Sequence, residues 1–534
     1  MVKIMKINYK IFGLVMFVML VCCVSVASAA DVDNITVPDD ADIIVTDDIA
    51  DSVDVVEDDG SSDDIIDEVV DSQIDDTIDD GVTDEKINVT RGSQDQVTSN
   101  SVSKYFDSNG YIRSSAPTGL QFSGNFNNVG FSNFIINKNV ALSFANANFN
   151  NVGFKLLYPG LSIYGATFTM TTSAPNEAAI YAGANGIIIN NVNINVNAPS
   201  NKNCYAINVL NANNTQITNS VITYQCGYAN ANKYNYAIKV KNSANVKVAS
   251  NNITATLPLK TVVYSNTGLE RDYVAGVGVG DSNYFNFTKN KLDVTGNLRS
   301  GSYPTLDALI IWQSHNSYVG QNIITEKDII TASNQYSYIY GVDVYRSNNV
   351  NVHNNTITMN ADQSGGYVGG NGTGAAYCVQ CTGPYTGVTV SNNRLTTQNN
   401  GPNAAIYSQN WDGPTNITVS GNTISVTGKG TDSNWDVLTG MELQDTYATV
   451  TGNTITVTNK VDYYDDYNVY GISYCQYTPY GHTYIITGNT VDVINGRYTV
   501  CLLNGSTHSI SNNTLHSNDG LFDYYDDDTI CTNG

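Results

Sequence analysis

Residues Tyr340–Asn360 read YGVDVYRSNNVNVHNNTITMN. Val342 and Val344 alternate with Asp343 and Tyr345, Val350 and Val352 with Asn351 and His353, and Ile357 and Met359 with Thr356 and Thr358. A period of two sends one row of side chains inward and the other outward, as in a half-buried strand. The stretch therefore predicts three short strands and two tight corners. The corners fall at Ser347-Asn348-Asn349 and Asn354-Asn355, where Asn tolerates left-handed backbone and bonds its own chain.

The pattern recurs at 236–256 (YAIKVKNSANVKVASNNITAT), 439–458 (TGMELQDTYATVTGNTITVT) and 498–518 (YTVCLLNGSTHSISNNTLHSN). Eleven copies are placed by their third-strand aliphatic residues: Val192, Val221, Ile253, Leu292, Ile323, Ile357, Leu395, Ile424, Ile455, Val491 and Leu515, spaced 24 to 39 residues apart. Such a period signals a solenoid, and three strands in about 20 residues match one coil of a parallel β-helix and exclude helical repeats. The excess residues read as insertions between one third strand and the next first strand. Two positions before each aliphatic residue stand Asn190, Asn219, Asn251, Asn290, Gln321, Asn355, Asn393, Asn422, Asn453, Asn489 and Asn513. Stacked coils bring equivalent positions to about 4.8 Å, so this column predicts a ladder of amide hydrogen bonds.

The heptapeptide NFNNVGF occurs at 125–131 and again at 148–154, a spacing of 23 that reads as one uninterrupted coil. The solenoid is thus expected to start near Leu120, with KYFDSNGYI (104–112) capping its first coil against edge pairing. Residues 1–30 read as a signal peptide, with basic Lys3, Lys6 and Lys10, an apolar run from Ile11 to Val26, and the small-residue site Ala27-Ser28-Ala29. After its removal no transmembrane segment is expected. Residues 31–100 read as an acidic, disordered segment: Asp31–Thr90 holds 23 Asp+Glu against Lys86, for a net −22, and no aromatic residue. So acidic a chain argues against nucleic acid as a partner. Residues 101–534 are read as the β-helix domain. Cys204 with Cys226, and Cys475 with Cys501, lie about one coil apart and are candidates for vertical disulfides, whereas Cys378 and Cys381 read as buried or edge thiols.

The Asn corners, three-strand coils and irregular insertions resemble the right-handed parallel β-helix repeats of the pectate-lyase-like superfold, including NosD-type repeats. More closely, the signal, the Asp-rich tail, YFDSNGYI (105–112), FSGNFNNVGF (122–131) and the NNTIT units resemble the Asn/Thr-rich adhesin-like surface proteins of methanogenic archaea. The resemblance implies right-handed coiling and a secreted, extracellular or cell-surface location. The superfold also hosts enzymes, but the Asn-Thr-Asp, Asp-Asp and Arg-Ile-Lys motifs of similar polygalacturonases are missing from the coils, and the Asp-Pro-His-Asp of similar epimerases is absent. Gly481-His482-Thr483 is only a faint Gly-His-Gly. No catalytic residue, metal or cofactor is therefore expected.

A binding surface is read from the first strands. With Val277, Leu309, Val342, Tyr377, Ile406 and Met441 inward, one outward column is Gly278, Ile310, Asp343, Cys378, Tyr407 and Glu442. The next is Gly280, Trp312, Tyr345, Gln380, Gln409 and Gln444. Aromatic rings, amides and acids in adjacent rows suit a glycan. The expected ligand surface is Trp312, Asp343, Tyr345, Gln380, Tyr407, Gln409, Glu442 and Gln444, flanked by insertions bearing Trp411 and Trp435. The reading is an adhesin-like glycan binder, with a polysaccharide lyase or hydrolase as the alternative and a structural envelope component as a second one.

Overall fold

The computed structural model describes residues 94–525, except 172–176, 199–203, 227–234, 262–273, 301–303, 329–337, 362–374, 400–402, 411–414, 430–437, 445, 462–467, 476–482, 497, 504–506 and 519. All belong to the compact unit Asp84–Gly534. The expected signal at 1–30 and the acidic stretch Asp31–Thr90 lie outside the described residues.

The described chain is almost wholly strand, its one helix being Val102–Tyr105. No described helix is long and apolar enough to cross a membrane. Each coil contributes three strands, as at Tyr338–Tyr345, Asn351–His353 and Thr356–Ala361. Each strand pairs in parallel with its equivalent in the next coil: Val342 lies beside Val379, Val352 beside Val390 and Ile357 beside Leu395. Second strands form a separate sheet of 12, and first and third strands share a hydrogen-bonded network of 29. The architecture is a right-handed parallel β-helix, the hand that right-twisted strands impose on parallel crossovers.

Apolar residues from all three sheets fill the interior. Val342, Val344, Val350, Val352, Ile357 and Met359 are buried, as their alternation requires. The heptapeptide repeat pairs Asn125 with Asn148 and Phe126 with Phe149 across one coil. There the core is phenylalanine. Phe126 and Phe149 stack at 4.8 Å, and Phe106, from the segment before the first coil, packs edge-on to Phe134 at 4.9 Å.

The amide ladder forms, but out of its expected register in three coils, by one residue at Asn219 and Gln321 and by two at Asn190. Parallel pairing aligns Val192, Ser220, Asn251, Asn290, Asn322, Asn355, Asn393, Asn422, Asn453, Asn489 and Asn513. The amides are thus an unbroken run of nine from Asn251, and the supposed exception Gln321 is not in the column. Gln321 and Asn219 instead hold the left-handed corner before it, at φ 59° and 52°. The same slip makes Val221 and Ile323 exposed, and the inward residues are Ile222 and Ile324.

Within the run, from Asn290 to Asn489, each ladder amide is fully used. Asn422 Oδ1 accepts from the backbone N–H and Nδ2 of Asn393 at 2.9 and 3.0 Å. Its Nδ2 donates to Val390 O at 2.8 Å and to Asn453 Oδ1 at 2.9 Å. A hydroxyl ladder, Ser243–Ser282–Ser314–Ser347, does similar work at the other corner, each Oγ accepting the preceding coil's backbone N–H.

Asn422→Ala breaks four hydrogen bonds and leaves buried groups unsatisfied, so it is expected to cost on the order of 2–4 kcal/mol. Gln321→Gly keeps a left-handed corner that favours glycine and is expected to be neutral or stabilising. Denaturant unfolding of both variants checks the ladder and its register together; equal losses would contradict them.

Candidate functional site

The first strands bend before they run straight, and this bend fixes what faces outward. Between paired Tyr340/Tyr377 and paired Val342/Val379 sit Gly341 and Cys378, which interrupt the pairing. Both belong to a buried column of small residues that includes Gly276, Ala308, Ala405, Gly440 and Gly471. A Cβ on Gly341 would lie 2.7 Å from both Cys378 O and Ile357 Cγ2, and one on Gly471 2.1 Å from Val491 Cγ1. The third strand approaches too closely for anything large. Two successive residues therefore point inward, and alternation restarts one step later.

The bend corrects the expected alignment by two residues in one coil. Val379, not Tyr377, is the inward partner of Val342, and Cys378 is interior, its Sγ within 3.4 Å of Thr396 O. The first outward column is therefore Gly278, Ile310, Asp343, Gln380, Tyr407 and Glu442. Gln380 moves into it from the next column, which reads Gly280, Trp312, Tyr345, Thr382, Gln409 and Gln444. A third outward column, before the bend, holds Tyr236, Ala275, Asp307, Tyr340, Tyr377 and Ala404.

The predicted surface divides into two chemically different halves. In the C-terminal half the polar groups satisfy one another. Gln444 Nε2 donates to Glu442, and Gln444 Oε1 accepts from Gln409 Nε2 at 2.9 Å and from the Tyr407 hydroxyl at 3.3 Å. In the other half the outward column of Asp343 runs between two aromatic columns, and this lane is called the furrow. On one side Trp312 stacks on Tyr345, centroids 4.0 Å apart and planes 5° apart; on the other Tyr340 stacks on Tyr377 at 5.7 Å. The expected Trp312–Tyr345 adjacency is present. Stacking at coil spacing sets the ring planes across the solenoid axis, so the rings turn their edges, not their faces, to the furrow. Trp312 is only 1% exposed and packs with Tyr236, Ala275 and Ile310 in an apolar cluster outside the sheet. Trp411 and Trp435 lie outside the described residues.

Asp307 is the residue that alignment did not single out. It stands between inward Leu306 and Ala308, in the column beside Asp343 and one coil before it. Asp307 is 1% and Asp343 3% exposed. Both oxygens of Asp307 and Oδ1 of Asp343 are buried without a hydrogen-bond partner. A third carboxyl, Glu326, stands between Val294 and Met359 in an inward third-strand column. Burial, then repulsion from Asp343, raises the Asp307 pKa well above the ordinary carboxylate range. Burial, then Asp307 and Asp328, does the same for Glu326, and the nearby Ala308 backbone opposes it without reaching hydrogen-bonding geometry. Burial pushes Asp343 up to about 7. A lone acid in the otherwise apolar strand PTLDALIIW was the available sequence signal for Asp307.

Cys378 and Cys381 are free and buried, and Cys226 and Cys501 are buried too. The two cysteine pairs expected to stack do not occupy equivalent positions in neighbouring coils. Cys204 belongs to a first strand and Cys226 to a third, so they never stack. Cys501 pairs with Ser473, two residues before Cys475.

No protein-family model matches the chain, and no curated protein matches it by sequence. Solved structures follow a similar course. The Dettilon tailspike protein gp208 is 13% identical with a TM-score of 0.39; the match covers 71% of this chain and 61% of the tailspike, under two thirds of its length. The Streptococcus pneumoniae surface protein and adhesin PfbA is 12% identical with a TM-score of 0.38, over 80% of this chain and 94% of PfbA. The A-module of the Azotobacter vinelandii mannuronan C-5 epimerase AlgE6 is 10% identical with a TM-score of 0.32, over 78% of this chain and 98% of the module. Likeness at this level carries nothing about ligand or reaction.

Asp343 has an ordinary value of 3.8 and titrates near 7 when folded. Between these values the folded state holds a proton that the unfolded state has lost. Its contribution to stability is full below 3.8 and is lost as pH rises to about 7. The stability advantage of Asp343→Asn over the parent is thus expected to grow from about pH 4 to about pH 7 and then level off, read from melting midpoints across pH. A pH-independent difference would contradict a buried, proton-holding Asp343.

Proposed function

We propose that this chain is a secreted or cell-surface β-helix that binds glycan along the outward face of its first-strand sheet, with the Asp307–Asp343 furrow at the centre. The observation that carries this reading is the set of buried, outward-facing carboxyl oxygens without protein partners, those of Asp307 within one aromatic column and that of Asp343 beside it. Buried polar groups are ordinarily hydrogen-bonded, and those left open mark a place where a ligand completes the set. Sugar hydroxyls donate to such oxygens, while ring edges and tyrosine hydroxyls line the sides. Coils repeat at about 4.8 Å, so the columns from Trp312 to Gln444 run far enough for several sugar rings.

The two halves of the surface carry unequal weight in this reading. Tyr407, Gln409, Glu442 and Gln444 already spend hydrogen bonds on one another and serve as a rim. Asp343, Gln380 and Tyr345 supply the main contacts. A polysaccharide lyase or hydrolase is the second reading, favoured by the same carboxyl pair, because glycoside cleavage uses two carboxyl groups of unequal proton affinity.

A glycan array probed with the full chain, run beside assays for reducing sugar and unsaturated product, tests both. The expected result is array binding without product release. Asp343→Ala is expected to weaken the best ligand about tenfold, or about 1.4 kcal/mol, and Gln409→Ala only two- to threefold. A blank array with a folded protein would overturn the binding reading; product release lost on Asp343→Ala would establish the second.

A further inference from the structure

The furrow concentrates acid. Asp307 and Asp343 line it and Glu326 lies beneath the sheet; none is more than 3% exposed. The charges that act on Asp307 and Glu326 are other carboxylates. Asp307, Asp343 and Glu326 make no ion pair among the described residues, whereas exposed acids elsewhere do, as in Lys291–Asp293 at 2.7 Å and Lys104–Asp95 at 3.1 Å. Arg346, near Asp343 in sequence, instead lies over the Tyr345 ring at 5.5 Å.

Ionising a buried carboxyl group without a counter-charge costs several kcal/mol, a cost that an incoming cation removes. A metal ion fits poorly, because no three or more His, Cys, Asp and Glu side chains among the described residues are grouped to hold one. Hard divalent cations want about six or more oxygens. A primary ammonium has three N–H donors and no acceptor. The furrow offers three unpartnered buried oxygens: both of Asp307 and Oδ1 of Asp343. They come from neighbouring coils and adjacent outward columns, near enough that Asp343 disfavours ionisation of Asp307.

Resting on the glycan reading above, we infer that the furrow selects a glycan bearing a free primary amine, an amino sugar whose nitrogen is not acylated, and seats its ammonium between Asp307 and Asp343. The aromatic columns flank the sugar carbons, and Gln380, next along Asp343's column, faces the hydroxyls of the adjoining ring. An N-acetylated sugar brings one N–H and no charge. It leaves the acids uncompensated, and a site built around a charged, hydrogen-bonded group rejects an analogue lacking it by orders of magnitude.

The test is calorimetric titration of the full chain at neutral pH with three β-1,4-linked tetrasaccharides, of glucosamine, N-acetylglucosamine and glucose. The glucosamine oligomer is expected to bind about a hundredfold more tightly than either of the others. The double change Asp307→Asn with Asp343→Asn is nearly isosteric and removes the two buried groups that can ionise, so the protein is expected to fold while the preference falls below about threefold. Equal or weaker binding of the amine form would overturn the inference and leave glycan binding standing. An amine preference unchanged in the double variant would place the cation on the acidic stretch Asp31–Thr90 and would also overturn it. Failure of all three sugars, with a blank array, would instead remove the glycan reading beneath it. The comparison of the three sugars on the parent chain decides the matter even without the variant.

Discussion

The amide ladder from Asn251 to Asn513 is the constraint on which the rest depends. An Asn at each second corner links its coil to both neighbours, through the next amide and through a carbonyl of the preceding coil. Parallel strands alone resist slippage only through their alternation, and a two-residue slip preserves alternation. The ladder supplies the missing specificity, because a slip of any length would bury amides without partners. Insertions of very different length can then leave the solenoid between coils without disturbing the stack. Every outward column inherits its alignment from this corner.

That alignment sets the candidate site on a rigid sheet and accounts for its unusual chemistry. Elsewhere on the same face polar side chains settle one another, as Glu442, Gln444, Gln409 and Tyr407 do. At Asp307 and Asp343 they do not, and their column neighbours carry no compensating charge: Ala275 and Tyr340 beside Asp307, Ile310 and Gln380 beside Asp343. A locally unfavourable cluster held by a strongly determined scaffold is the arrangement expected where stability is given up for binding. Melting behaviour and ligand affinity should therefore be linked through the same two carboxyl groups.

Much of this was legible in the sequence, and the gaps have physical causes. Period-two alternation, corner asparagines and a heptapeptide repeated at 23 residues were enough for the three-strand coil and its stacking. Register was less secure. Val221 and Ile323 are apolar but exposed, so counting from apolar residues slipped by one in those coils. The bend at Cys378 moved Gln380 by two, because a run of two inward residues does not show in an alternating pattern. Asp343 was found because its coil is regular. Asp307 was missed because it lies before the bend, outside the two outward columns that alternation defines. That its oxygens lack partners is a property of three-dimensional neighbours, which no spacing reports. Trp312 was read as a sugar platform from its outward position, yet its faces are occupied by its neighbours in the stack.

Hydrogen exchange on the full chain tests the account's central claim most directly. The backbone N–H groups of Asn290, Asn322, Asn355, Asn393 and Asn453 donate to the next coil's amide oxygen and not to a strand. If the ladder locks the stack, these corner amides exchange as slowly as the central strand amides and only through opening of several coils together. Exchange at the rate of free peptide, with the strands still protected, would show that the coils stack without the ladder, and the register on which the candidate site rests would lose its support.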